Sequence, residues 1–292
     1  MKPPPFAYFR PGTLDEAIAI LGRTENAKVL AGGQSLMAML NLRYVFPDAL
    51  VDINDLFELS GIEIAPERIR IGAMTRQRRI ELDAGLYEAM PIFRDALKLV
   101  GHRQTRNRGT IGGSLCHLDP ASELPTLALL LDAGIETAGP AGVRCIPVDE
   151  FITGYMMPGI GPDEIVTAIE FAPWSAAHGH AFHEFARRHG DFAVASAAVM
   201  VERDRQGIVT RCAIAIGGIG SVPQRHGAGE TALTGSDGGP DAIAAALESC
   251  AGLDILGDFH GGPDYRLSVA RTMLRRSLTA ALARASERTQ QA

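Results

Sequence analysis

Aromatic residues make up only 6% of this 292-residue chain, and tryptophan occurs once, at Trp174. No uninterrupted apolar run approaches the roughly 20 residues a membrane-spanning helix needs. Four cysteines stand at 116, 145, 212 and 250. No two form a C-x-x-C pair, so the chain offers no obvious zinc or iron–sulfur site. Their scatter fits reduced thiols better than a disulfide framework, and the proline-rich start, Met1 to Phe6, lacks the apolar core of a signal peptide. Both observations predict a cytoplasmic protein. A formal net charge of −6 without a long basic run argues against nucleic acid as a partner. Hydrophobic content of 46% with 21% charged residues fits an ordinary globular protein with a substantial core.

Glycine is the abundant residue that matters. Two glycine pairs, each followed closely by serine, stand about 80 residues apart: Ala31-Gly32-Gly33-Gln34-Ser35 and Thr110-Ile111-Gly112-Gly113-Ser114. The first follows the apolar run Val29-Leu30-Ala31; the second follows Arg106-Asn107-Arg108-Gly109. Glycine lets backbone N–H groups turn toward a ligand and lets that ligand come close. Gathered N–H groups favour an anion such as a phosphate, so two such loops are suited to grip one diphosphate from two sides. One glycine pair alone reads as a tight turn. Neither segment carries G-x-G-x-x-G, which argues against an ordinary Rossmann domain. Arg103, Arg106 and Arg108 read either as a solvated face or as neighbours of that phosphate.

Local patterns divide the chain into three units, at 1–55, 56–175 and 176–292. In the first, Thr13 and Glu16 form a capping box for a helix with Ala17, Ile18, Ile20 and Leu21 on its apolar side. Strands are predicted at 28–31 and 49–53, with a helix at 36–42 between them. The second unit has predicted strands at 69–73, 136–138, 144–147 and 164–171, helices at 91–100 and 125–131, and Thr75 as a helix cap. Pro173 marks its end. The third has strands at 179–185, 196–203 and 210–216, then helices at 240–251 and 265–283. Strands followed by helices indicate an α+β fold.

The ordered set of motifs resembles a known family. Ala31 to Ser35, Arg106 to Ser114, Asp119-Pro120-Ala121-Ser122-Glu123-Leu124-Pro125, Arg187-Arg188-His189-Gly190-Asp191-Phe192-Ala193 and Tyr265-Arg266 together are similar to the FAD-binding medium subunit of molybdenum hydroxylases. The type is that of aerobic carbon monoxide dehydrogenase, and the same module lies within xanthine dehydrogenases. The resemblance spans nearly the whole chain. It implies a two-subdomain FAD-binding domain of the vanillyl-alcohol-oxidase (PCMH) type and a C-terminal α+β domain of the CO dehydrogenase flavoprotein kind. It also implies that Ala31, Gly32, Gly33, Gln34 and Ser35, with Thr110, Ile111, Gly112, Gly113 and Ser114, wrap the diphosphate and ribityl part of FAD. Glu123 is implied near the cofactor's polar end, and Phe192 beside the isoalloxazine ring. The partners implied are a large subunit with the molybdenum cofactor and a small subunit with two [2Fe-2S] clusters, assembled as a dimer of heterotrimers.

Three positions depart from the family pattern. Gln34 stands where histidine is frequent; an amide donates to a phosphate oxygen but cannot anchor flavin covalently, so FAD is expected to bind non-covalently. Glu123 replaces the usual aspartate, and Phe192 a frequent tyrosine. No catalytic residue and no metal ligand is expected on this chain. His178, His180, His183 and His189 crowd together, but strand alternation puts His183 opposite His178 and His180, and surface or interface histidines are the default. Two other readings stay open: a stand-alone FAD-dependent oxidoreductase of the same fold, and a non-catalytic nucleotide-binding protein.

Overall fold

The computed structural model describes residues 2–291, with side chains as far as Thr289. The chain starts with β1 (Ala7–Phe9), α1 (Leu14–Arg23), β2 (Ala27–Leu30), α2 (Leu36–Asn41) and β3 (Ala49–Asp52). β3 lies between β1 and β2 and runs parallel to both. Thr13 caps α1 by accepting from the Glu16 N–H. Glu16 completes only half of the expected box, because its carboxylate reaches one residue farther and accepts from the Gly12 N–H at 2.8 Å. Ala17, Ile18, Ile20 and Leu21 are buried as their spacing predicts, against Val51, Ile53 and Leu56.

Next come β4 (Ile62–Ile64), β5 (Ile69–Gly72), α3 (Gln77–Leu82), α4 (Ala84–Ala89), α5 (Ile92–Leu97), α6 (Arg103–Arg108), α7 (Ile111–His117) and α8 (Glu123–Leu130). They are followed by β6 (Gly134–Gly139), β7 (Gly142–Pro147), α9 (Val148–Phe151), the short β8 (Ile152–Gly154) and β9 (Met157–Pro158), and β10 (Ile165–Phe171). The antiparallel sheet runs β4-β5-β10-β6-β7, so the last strand fills its centre. Thr75 is not a cap. It is buried, its hydroxyl donates to the Gly61 carbonyl and accepts from the Gly61 N–H, and α3 starts after Arg76 without a side-chain cap. A buried hydroxyl takes whatever partner the tertiary fold offers.

The rest of the chain forms β11 (Gly179–Phe185), β12 (Ala195–Arg203), β13 (Val209–Gly217) and β14 (Gln224–Arg225), an antiparallel sheet in that order, and α10 (Gly227–Leu233), α11 (Pro240–Glu248) and α12 (Pro263–Gln291). Residues 195–201 of β12 are all buried, because both sheet faces are covered. Ala195, Ala197, Val199 and Val201 join a core with Leu274 and Leu278 of α12. Ala198 and Met200 point the other way, into the core that includes Leu124 and Leu127 of α8. The second and third sheets therefore share packing through α8, which every residue on that helix being buried confirms. Gly179 is required where β11 meets α12, since a Cβ there would overlap the Ala281 carbonyl.

Candidate cofactor site

The Ala31–Ser35 segment leaves the carboxyl end of β2, the edge of a parallel sheet where ligands settle in open α/β arrangements. Gly33 has φ +72°, a left-handed backbone that glycine adopts without steric cost. Among the described residues, the N–H groups of Gly32, Gly33, Gln34 and Ser35 find no acceptor, backbone or side chain. The Gln34 amide donates to the Gly32 carbonyl at 3.2 Å. Beside it, Asn54 follows β3, donates to the Ala31 carbonyl at 2.9 Å and to Asp52, and Asp52 accepts from the Tyr8 hydroxyl. Asn54, braced by Asp52 and through it by Tyr8, thus holds a loop whose N–H donors find no acceptor among the described residues.

The second glycine segment is not a loop. Thr110 is the N-cap of α7, and Ile111 to Ser114 form its opening turn. The Thr110 hydroxyl accepts from the Gly113 N–H at 3.1 Å. Ile111 donates to the Thr75 carbonyl at 3.2 Å, Gly112 to the Ala73 carbonyl at 2.9 Å, and Ser114 to the Thr110 carbonyl at 3.2 Å. These N–H groups are consumed inside the fold, whereas those of residues 32–35 find no acceptor among the described residues. Gly112 serves packing: a Cβ on it would lie 2.6 Å from that of Ala73. The two segments nevertheless meet. Gly32 sits against the Arg108 carbonyl, and Gly113 faces Ala31.

Glu123 opens α8 and is 9% exposed. Burial, with the charge of Glu184 adding to it, pushes its carboxyl up to about 8. Glu184 on β11 is pushed up to about 7 by burial, and its Oε2 has no partner among the described residues. Glu184 pairs with Ser196, and Ser196 with Gly217, in one row across three strands. The Ser196 hydroxyl is also buried without a partner. Glu184 was not anticipated, although a signal existed: strand alternation puts it on one face with His180 and Phe182, and both of those are buried.

Phe192 lies in the 186–194 connection and is 68% exposed, so it is no core residue. Gly190, φ +86°, approaches His102, whose ring lies 5.7 Å from that of His189. His102 precedes α6, and α6 leads to the second glycine segment over about 9 Å. Arg266 secures the base of this connection by donating to the carbonyls of Val194 and Gly218 and to Asp258. Phe192 and the glycine segments are thus linked through α6, whereas Glu123 reaches them through the 118–122 turn after α7.

The crowded histidines separate. His178 and His180 are buried, ring centroids 5.8 Å apart, while His183 faces the Ser277 hydroxyl on α12 at 3.0 Å. Among the described residues no group of three histidine, cysteine or acidic side chains is placed to hold a metal.

The family model described as the FAD binding domain in molybdopterin dehydrogenase matches residues 4–174, more than half of the chain. The chain belongs to this family. A second model, the CO dehydrogenase flavoprotein C-terminal domain, matches residues 180–281. Across 98% of its length the chain is 39% identical to 97% of the 6-hydroxypseudooxynicotine dehydrogenase complex subunit alpha of Paenarthrobacter nicotinovorans. It is 34% identical to the carbon monoxide dehydrogenase medium chain of Hydrogenophaga pseudoflava, over 97% of this chain and 99% of that one. A solved structure of the Hydrogenophaga pseudoflava carbon monoxide dehydrogenase, lacking the Mo-pyranopterin moiety, superposes with TM-score 0.94 and 36% identity, over 97% of this chain and 99% of that one.

This flavoprotein is therefore an FAD-containing medium subunit of the carbon monoxide and xanthine dehydrogenase type, and such subunits are oxidoreductase components. The free N–H set at residues 32–35 fits the diphosphate of FAD, because buried or ligand-facing donors require acceptors. FAD, when bound, supplies the redox chemistry; the chain binds, orients and shields it. Among the described residues no helix is long and apolar enough to cross a membrane.

Proposed function

We propose that this subunit takes electrons from [2Fe-2S] clusters on a small partner subunit and passes them through non-covalent FAD to an external acceptor such as a quinone, NAD⁺ or oxygen. A large partner subunit holds the molybdenum cofactor and the substrate, the assembly is a dimer of heterotrimers, and the complex works in the cytoplasm. Residues 1–55 and 56–175 enclose FAD, and residues 176–292 form the C-terminal domain. Ala31 to Ser35 and Thr110 to Ser114 contact the diphosphate and ribityl part, Glu123 the polar end, and Phe192 the isoalloxazine.

The observation that carries this reading is the loop after β2, whose four N–H groups, at residues 32–35, lack acceptors among the described residues. Similar chains named for a carbon monoxide dehydrogenase and a 6-hydroxypseudooxynicotine dehydrogenase support a substrate site on another subunit, since unlike substrates accompany one scaffold. The test is acid precipitation of the flavin-loaded chain. FAD should appear in the supernatant at about one per chain. Flavin retained in the pellet would overturn the non-covalent assignment, and a chain that never takes up FAD would overturn the whole reading.

A further inference from the structure

We propose that Arg76 contacts the cofactor, its guanidinium neutralising the diphosphate that Ala31 to Ser35 receive. This deepens the reading of the glycine segment given above and rests on it.

Arg76 stands between β5 and α3, half-buried. One terminal nitrogen donates to the Arg108 carbonyl and the other to Asn54 Oδ1 at 2.6 Å. Both acceptors border the first glycine segment: Gly32 lies against the Arg108 carbonyl, and Asn54 holds the Ala31 carbonyl. The guanidinium is therefore fixed beside the loop whose N–H groups are free. Two of its five N–H donors are used, which leaves three.

Charge points the same way. Neither Arg76 nor Arg108 forms an ion pair among the described residues. Burial and the neighbouring Arg108 charge together hold Arg76 below its ordinary pKa, with Asp52 opposing them. Asp52 already accepts from Tyr8 and Asn54. Two guanidiniums held near one another without a carboxylate between them are unfavourable until an anion arrives. A diphosphate matches the surplus charge, and charge-assisted contacts to its oxygens are the strong ones.

A purely structural role would make Arg76 a staple between Asn54 and the Arg108 carbonyl. The two roles separate by ligand and by substitution. The full chain, stripped of flavin, is titrated with FAD and with riboflavin, which lacks phosphate, for wild type, Arg76→Gln and Arg76→Lys. Arg76→Gln should weaken FAD by about tenfold or more, leave riboflavin unchanged, and lose most of that difference in high salt. Arg76→Lys, which keeps the charge but cannot reach both acceptors, should retain most FAD affinity even if Arg76→Gln folds poorly. Equal loss of both ligands, equal failure of the lysine and glutamine variants, or wild-type FAD affinity in Arg76→Gln would each overturn the proposal. A wild-type chain that binds no FAD would instead bring down the cofactor reading beneath it.

Discussion

Gly32 packs so closely on the carbonyl of Arg108 that a Cβ would overlap backbone atoms of both Arg108 and Gly109. This contact joins the two glycine segments. Backbone cannot swing aside as a side chain can, so Gly32→Ala should force the segments apart, at a cost of about 1–3 kcal/mol. Gly33 differs: its φ of +72° makes alanine strained, by about 1–2 kcal/mol, but the nearest atoms are side-chain carbons of Met37 and Leu30 at 3.3 and 3.4 Å. Gly32→Ala should lose flavin and thermal stability together, and Gly33→Ala should lose less of both. Flavin-to-protein absorbance with a melting curve measures this; wild-type values for Gly32→Ala would discredit the contact.

Phe192 separates a flavin neighbour from an ordinary surface residue. Being 68% exposed, its removal should change folding stability by no more than about 0.5 kcal/mol. If it covers the isoalloxazine, Phe192→Ala should raise flavin fluorescence and move the reduction potential, while Phe192→Tyr should leave both near wild type. An unchanged spectrum and potential in Phe192→Ala would remove this residue from the site without touching the FAD assignment.

Glu123 and Glu184 set a pH dependence. Burial raises them to about 8 and about 7, against ordinary values of 4.5. Folding therefore takes up protons across that interval, and stability from these groups, whole below about pH 4.5, falls as pH rises through 7 and 8. The flavin-free chain should melt lower at pH 8.5 than at pH 6, and Glu184→Gln should flatten that slope. At the acid end the sign reverses. Although burial opposes it, hydrogen bonds from Arg106 and Arg78 hold Glu81 below its ordinary range, and this stability is lost as pH falls through that depressed value. Identical alkaline slopes for wild type and Glu184→Gln would contradict the buried-acid account.

Metal content tests the histidines. His180 Nε2 lies 3.5 Å from Asp95, and His178 Nδ1 lies 2.6 Å from the Ser175 carbonyl; the other ring nitrogen of each is buried without a partner, but among the described residues no third ligand is grouped with them. The chain purified without partners should hold no stoichiometric iron, zinc or molybdenum by mass spectrometry. Metal near one equivalent, lost in His180→Ala, would reinstate a site there.

Much was legible in the sequence because it is local. The Thr13 cap, the apolar face of α1, the long strands β11, β12 and β13, and the order of the glycine motifs all lie within short windows, where spacing dictates hydrogen bonding and burial. The family resemblance drew on that same local order. Only the tertiary structure put β10 at the centre of its sheet, since its partners β5 and β6 lie up to about a hundred residues earlier. Only it revealed that Ala73 and Thr75 consume the N–H groups of Gly112 and Ile111, while those of residues 32–35 find no acceptor among the described residues. It likewise set Glu184 near Glu123, and Arg76 beside Asn54 and the Arg108 carbonyl. A sequence fixes how many donors and charges a segment has; which of them remain unpaired depends on partners brought close by folding, and it is the unpaired ones that meet a ligand.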